Sequence, residues 1–204
     1  IDDNLKAFFM SEKSISRFPV PELNNLPEDI RETILAVQEK SGFVPNVFLA
    51  LANRPDEFRA FFAYHEALME KEGGLTKGER EMIVVATSAH NQCIYCVVAH
   101  GAILRIREKN PQLADQIASN YRKADITPRQ KAMLDFALKV SKSSHEINNA
   151  DIDDMRELGF SNDDIWDIGA ISALFALSNR MANLTSMRPN DEFYLLGRIP
   201  KEKP

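Results

Sequence analysis

Cys93-Ile94-Tyr95-Cys96-Val97-Val98-Ala99-His100-Gly101 decides the reading of this chain. It holds both of the chain's cysteines. On a helix, thiols at i and i+3 share a face and can close a disulfide. His100 follows Cys96 at i+4, on that same face, where an imidazole can take or give a proton. Glu81 stands twelve residues before Cys93. In one straight helix that separation is ~18 Å along the axis, too far for the carboxylate to cooperate with the site. For Glu81 to orient His100, the helix starting at Thr76 has to break and fold back. Ala89-His90-Asn91-Gln92 is the place, because asparagine tolerates left-handed backbone and caps helices. The break puts Cys93 in the first turn of the next helix, where free N–H groups and the helix dipole favour a thiolate. Thiol pair, base and carboxylate together describe a redox site rather than a scaffold.

Outward from this hairpin the chain reads as all-α. Glycine is sparse at 8 residues, and no stretch shows the sustained alternation of a strand. Pro19, Pro21 and Pro27 make residues 11–27 an extended arm. Ile30, Ile34 and Val37 form a helical stripe ended by Gly42, and Gly42 to Asn46 turns into a short helix near 46–52. Pro55 opens a helix whose Phe58, Phe61, Phe62, His65, Leu68 and Met69 share a face. Thr76 with Glu79 and Thr127 with Gln130 fit the capping box, and Pro128 takes the first helical position. Ser161 before Asn162-Asp163-Asp164 is a third helix start. Ile165 to Leu184 suits a long central helix, with Trp166 and Phe175 expected in the core. Phe193, Tyr194 and Leu195 in the tail suit docking on a neighbour.

A faint repeat underlies this order. Thr76 to Ile83 aligns with Thr127 to Leu134, 51 positions on. In the second copy Glu81 becomes Ala132, Cys93 becomes Ser144, Cys96 becomes Ile147 and His100 becomes Asp151. A duplicated helical unit with chemistry in one copy explains the pattern, and shared cap grammar explains it equally well.

Length and composition bound the function. With 204 residues, 44% hydrophobic and 27% charged, the chain fits one globular domain with a real core. A net charge of −5 leaves no footprint for nucleic acid or an anionic membrane. No apolar run approaches the ~20 residues of a membrane helix. Ile1 to Met10 lacks the basic start and cleavage site of a secretory signal. Two cysteines make no disulfide framework, which points to the reducing cytoplasm, where such a pair is catalytic, sensing or metal-binding. The expected division is an arm over residues 1–18, a helical domain over 19–190 and a tail over 191–204. Met10 is the expected natural start, with Ile1 to Phe9 an extension, and Lys201 to Pro204 should be loose.

Glu-x(11)-Cys-x-x-Cys-x-x-x-His, as Glu81, Cys93, Cys96 and His100, resembles the signature of the AhpD-like alkylhydroperoxidases of the carboxymuconolactone decarboxylase-like superfamily. Gly42 to Asn46, Thr76 to Met82, Cys93 to Gly101, Ala132 to Ala137, Gly159-Phe160-Ser161 and Asn179-Arg180 look like its peroxidase-related branch. The resemblance covers most of residues 15–190. It implies an all-helical, duplicated AhpD-like fold in homo-oligomers, trimers or hexamers. It also implies reduction of hydrogen peroxide or organic hydroperoxides without haem, flavin or metal, with electrons from an external thiol, a lipoyl-type reductant or a dithiol reductant protein. Carried over, Cys96 is peroxidatic, Cys93 resolving, and His100 with Glu81 the proton relay. The dipole argument alone favours Cys93 as the nucleophile. Some members have a histidine where this chain has Tyr95, which can donate a hydrogen bond but is no base near neutral pH.

Three other readings use the same residues. Cys93, Cys96, His100 and Glu81 are acceptable zinc ligands, but structural zinc takes a second ligand pair that this sequence lacks. A thiol switch or redox adaptor passing oxidising equivalents to a partner fits the dithiol equally well. Lactone decarboxylation needs no dithiol, so the cysteines argue against it. Elsewhere, His65 reads as a packed core histidine or pocket wall, His90 as a cap at the break and His145 as exposed. Asn179-Arg180 is a polar pair deep in an apolar helix and needs partners. Asp151 to Asp154 reads as a solvated helix start.

Overall fold

The computed structural model describes residues 14–198. The expectations about Met10, the residues before it and Lys201 to Pro204 lie outside them. Among the described residues there are ten α-helices and no strand. They are α1 (Glu28–Ser41), α2 (Asn46–Leu51), α3 (Pro55–Met69), α4 (Lys77–His90), α5 (Ile94–Glu108), α6 (Leu113–Asn120), α7 (Pro128–Ser143), α8 (Asn149–Glu157), α9 (Asn162–Thr185) and α10 (Glu192–Leu195). Among the described residues no helix is long and apolar enough to cross a membrane.

The expected caps are present. Thr76 and Thr127 each accept the N–H of the residue three on and receive its side chain on their own N–H, as does Ser161 with Asp164. A fourth box, Asn148 with Asp151, starts α8 and is additional to those expected. Gly42 ends α1 at φ 84°, a left-handed position where a side chain would be strained.

Helix α4 is the hub: every residue from Gly78 to Ser88 is buried. It packs against α5, α6, α7 and α9. Gly78 leaves the space that the Glu108 side chain of α5 occupies, since a Cβ there would displace its carboxylate. The main core gathers Met82, Ile83, Val84 and Val85 of α4 with Leu104, Met133, Leu134, Ile168, Ile171 and Phe175. Arg80, fully buried, holds the Leu68 carbonyl at 2.8 Å and Asp167 at 3.0 Å, tying α4 to α3 and α9. Asp167 also pairs with Lys71 at 2.9 Å, so the harsher change is the loss of Asp167, which strands the buried Arg80 charge and is strongly destabilising. A separate apolar cluster of Leu26, Ile30, Ile34, Ala52 and Phe58 joins the arm to α1, α2 and α3. The arm is pinned to the end of α9 by Arg17 N–H to the Thr185 carbonyl at 2.8 Å.

Several expectations need correction. Trp166 is 75% exposed, not core, whereas Phe175 is 1% exposed. Nine residues is two and a half helical turns, so the two side chains face opposite ways. Of Asn179 and Arg180 only the first is deep; Arg180 is exposed and folds back to the Ala176 carbonyl. In the tail, Phe193 docks on the chain itself. Its ring meets Phe43 edge-on at 5.0 Å, and its carbonyl accepts from Arg105 of α5 at 2.7 Å.

Candidate active site

The helix break falls where the sequence places it, but its geometry differs in one respect. Asn91 caps α4, and Gln92, not Asn91, takes the left-handed backbone at φ 54°. The Cys93 N–H reaches back to the Ser88 carbonyl at 3.0 Å and the Gln92 N–H to Ala89 at 3.1 Å, which is the Schellman closure. A non-glycine residue here costs ~1 kcal/mol or more. Buried Asn179 of α9 holds the turn: it accepts from Asn91 at 2.9 Å and donates to Ser88 Oγ at 2.9 Å.

Cys93 therefore sits one residue earlier than expected, ending the closure of α4 and capping α5. Its sulfur accepts the Cys96 N–H at 3.3 Å. Both cysteines are free thiols, 0% and 1% exposed. The two thiols bear on each other unequally. The bond from the Cys96 thiol, the Cys96 N–H and the Asn179 amide hold Cys93 below the usual thiol range despite burial. The same bond, burial and the charge on Cys93 push Cys96 up. Of the two, Cys93 gives up its proton more readily and Cys96 holds its own more tightly. Cys96 Sγ also lies 4.0 Å from Ser178 Oγ of α9.

Because the chain folds back, Glu81 of α4 reaches His100 of α5. Its Oε2 lies 2.8 Å from His100 Nδ1, with both side chains largely buried. The carboxylate fixes the imidazole's orientation and leaves Nε2 to exchange protons. Phe175 packs edge-on against the ring at 4.7 Å. Among the described residues no hydrogen bond joins His100 to Cys96. A Cβ at Gly101 would meet Ala114 of α6 at 3.4 Å, close to ordinary van der Waals contact. His65 of α3 stands beside the site, its ring centre 6.0 Å from that of His100. Burial, then the His100 charge, lowers its pKa to about 4.

Tyr95 is 4% exposed, and its hydroxyl accepts the Val47 N–H of α2 at 3.1 Å. Burial raises its pKa, so it stays protonated. Its ring lines an apolar groove of about 710 Å³ between α2, α3 and α9, with Val47, Phe61, Leu174, Ser178 and Met181. Ser178 joins that groove to Cys96. Among the described residues no three His, Cys, Asp or Glu side chains converge as a metal site. His90 and His145 are exposed.

Residues 55–139 match the carboxymuconolactone decarboxylase family, a span that contains Glu81, Cys93, Cys96 and His100. The fold is similar to an uncharacterised peroxidase-related protein from Ralstonia eutropha JMP134, described as an alkylhydroperoxidase AhpD core. The two share 74% identity and a TM-score of 0.91 over 93% of this chain and 100% of that one. A peroxidase-related protein from Silicibacter sp. TM1040 is similar at 41% identity and a TM-score of 0.87, over 93% and 100%. The debrominase Bmp8 shares the fold, with a TM-score of 0.70 and 18% identity over 91% of this chain and 97% of that one. Sestrin-2 of Homo sapiens is 34% identical over 62 residues, 30% of this chain but only 13% of that protein.

Proposed function

Since the chain belongs to the AhpD-like, peroxidase-related proteins of the carboxymuconolactone decarboxylase family, we propose that it is a dithiol peroxidase acting through Cys93 and Cys96. The observation that carries the reading is one hairpin that unites a buried thiol pair with a carboxylate-held histidine. Cys93 accepts the Cys96 N–H at 3.3 Å, and Glu81 holds His100 at 2.8 Å.

Cys96 meets the peroxide, because its sulfur lies 4.0 Å from the hydroxyl of Ser178, a residue of the groove wall. The reaction starts from the form in which Cys93 is the thiolate; a proton first passes from Cys96 to Cys93, leaving Cys96 as thiolate. Its sulfur attacks the distal peroxide oxygen; the S–O bond forms, the O–O bond breaks, and the alkoxide takes a proton from protonated His100. The Cys93 thiol then attacks the sulfenic sulfur. The disulfide forms, the S–O bond breaks, and the hydroxide leaves with the Cys93 proton as water. An external dithiol, of small-molecule or lipoyl type, reduces the disulfide in two exchange steps.

The groove's size and apolar walls suit an organic hydroperoxide better than hydrogen peroxide. Leu177 and Leu184 of α9, Trp166 and Ile94 are each more than half exposed. Such apolar surface supports assembly into a homo-oligomer. The test is steady-state consumption of cumene hydroperoxide with a dihydrolipoyl donor, comparing wild type with Cys96→Ser. Turnover in wild type alone supports the reading; equal rates in both proteins refute it.

A further inference from the structure

His65 stands next to the relay without belonging to it. It lies on α3, half-buried between Phe61 and Phe175, with ring centres 6.3 and 6.1 Å away, and 6.0 Å from His100. The Glu81–His100 pair behind it is 8% and 14% exposed. We infer that His65 is the proton shuttle that reloads His100 from solvent. This rests on the dithiol peroxidase reading.

Proton accounting requires a return path to His100. Each turnover transfers one proton from His100 to the departing alkoxide. A dithiol donor attacks as thiolate and leaves one proton in water. The enzyme returns to one thiol and one thiolate, so His100 regains its proton from outside. His100 Nδ1 is committed to Glu81, and the pair has little contact with water. Two imidazoles with centres 6.0 Å apart leave room for one bridging water. An imidazole can accept on one ring nitrogen while releasing from the other, so His65 need not hold a charge.

The surroundings keep His65 neutral between transfers. His100 faces it from α5, with Glu81 of α4 behind. The other charge that acts on it is Glu70 at the end of α3, engaged by Lys77 and Arg107. Apolar neighbours and the His100 charge disfavour protonated His65. A group that does not trap the proton passes it on.

The test uses His65→Ala and His65→Gln in the full chain, with three readouts. The first turnover, followed as thiol loss after rapid mixing with one equivalent of cumene hydroperoxide, should match wild type because reloading follows it. Steady-state turnover should fall by roughly 10-fold or more, the lower range of acid–base contributions. Added imidazole should restore most of that loss in His65→Ala and leave wild type unchanged. Equal steady-state rates in wild type and both variants would overturn the shuttle, as would losses that imidazole does not rescue or an equally slowed first turnover. Failure of the wild-type thiols to react would instead remove the peroxidase reading itself.

Discussion

Thr76 and Thr127 start their helices with the same capping box and nearly the same backbone, φ −66° and ψ 159° against φ −67° and ψ 158°. Beyond the caps the two segments diverge. After α4 the chain turns through left-handed Gln92 and enters α5 with Cys93 as its cap. After α7 it relaxes into a short 3-10 turn, Ser144–Glu146, before α8. The counterpart of Cys93, Ser144, is exposed in that turn. The counterpart of His100, Asp151, is a structural carboxylate: it caps Asn148 at 2.9 Å and pairs with Lys139 at 2.6 Å. Cap grammar builds a helix in both segments. A site needs in addition the strained turn that folds Glu81 onto His100.

The sharpest break of that comparison is Cys96→Ser against Ser144→Ala. The first should lower hydroperoxide turnover at least ~10³-fold, as loss of a covalent nucleophile does, while the second leaves it unchanged. Turnover in a donor-coupled peroxide assay measures both. Next, His100→Gln should cost about 100-fold and Glu81→Gln about 10-fold, the former removing the proton donor and the latter its orientation. Asp151→Asn should leave turnover intact and lower stability by about 1 kcal/mol in a urea melt.

Acid stability separates the segments more gently. His65 has a pKa of about 4 when folded against an ordinary 6.5. Below pH 6.5 the unfolded chain therefore binds a proton that the folded chain refuses. The stabilisation is present above about pH 6.5 and fades as pH falls toward about 4, by on the order of 2–3 kcal/mol. His65→Phe should flatten that part of the pH–stability curve; an unchanged slope would show that His65 is not its source. The smallest effect is shared: Thr76→Ala and Thr127→Ala should each cost about 1 kcal/mol in thermal or urea unfolding. A much larger loss at Thr76 would mean that the hub helix depends on its cap more than its twin does.

Much of this fold and site is legible in sequence because it is local. Capping boxes are spelled out within four residues, and Cys-x-x-Cys with a histidine at i+4 is one helix face. The break before Cys93 follows from distance alone, since Glu81 could not otherwise reach His100. The features that sequence pattern misses depend on neighbours distant along the chain. Gln92 rather than Asn91 goes left-handed because the Schellman closure sets the register and Asn179, far along the chain, holds it. His65 joins the site because α3 packs on α9 and so sets the His65 ring beside Phe175 and His100, which no spacing within α3 announces. Trp166 could have been placed outside by counting turns from Phe175. Nothing local marks Ser178 as the group that links the groove to Cys96.

The most direct measurement of the central claim is a thiol count on the reduced protein before and after one equivalent of cumene hydroperoxide, with intact mass on the product. The account predicts that both thiols disappear together and the mass falls by two hydrogens, one internal Cys93–Cys96 disulfide per chain. Two thiols still titrating, with the peroxide unconsumed, would contradict it.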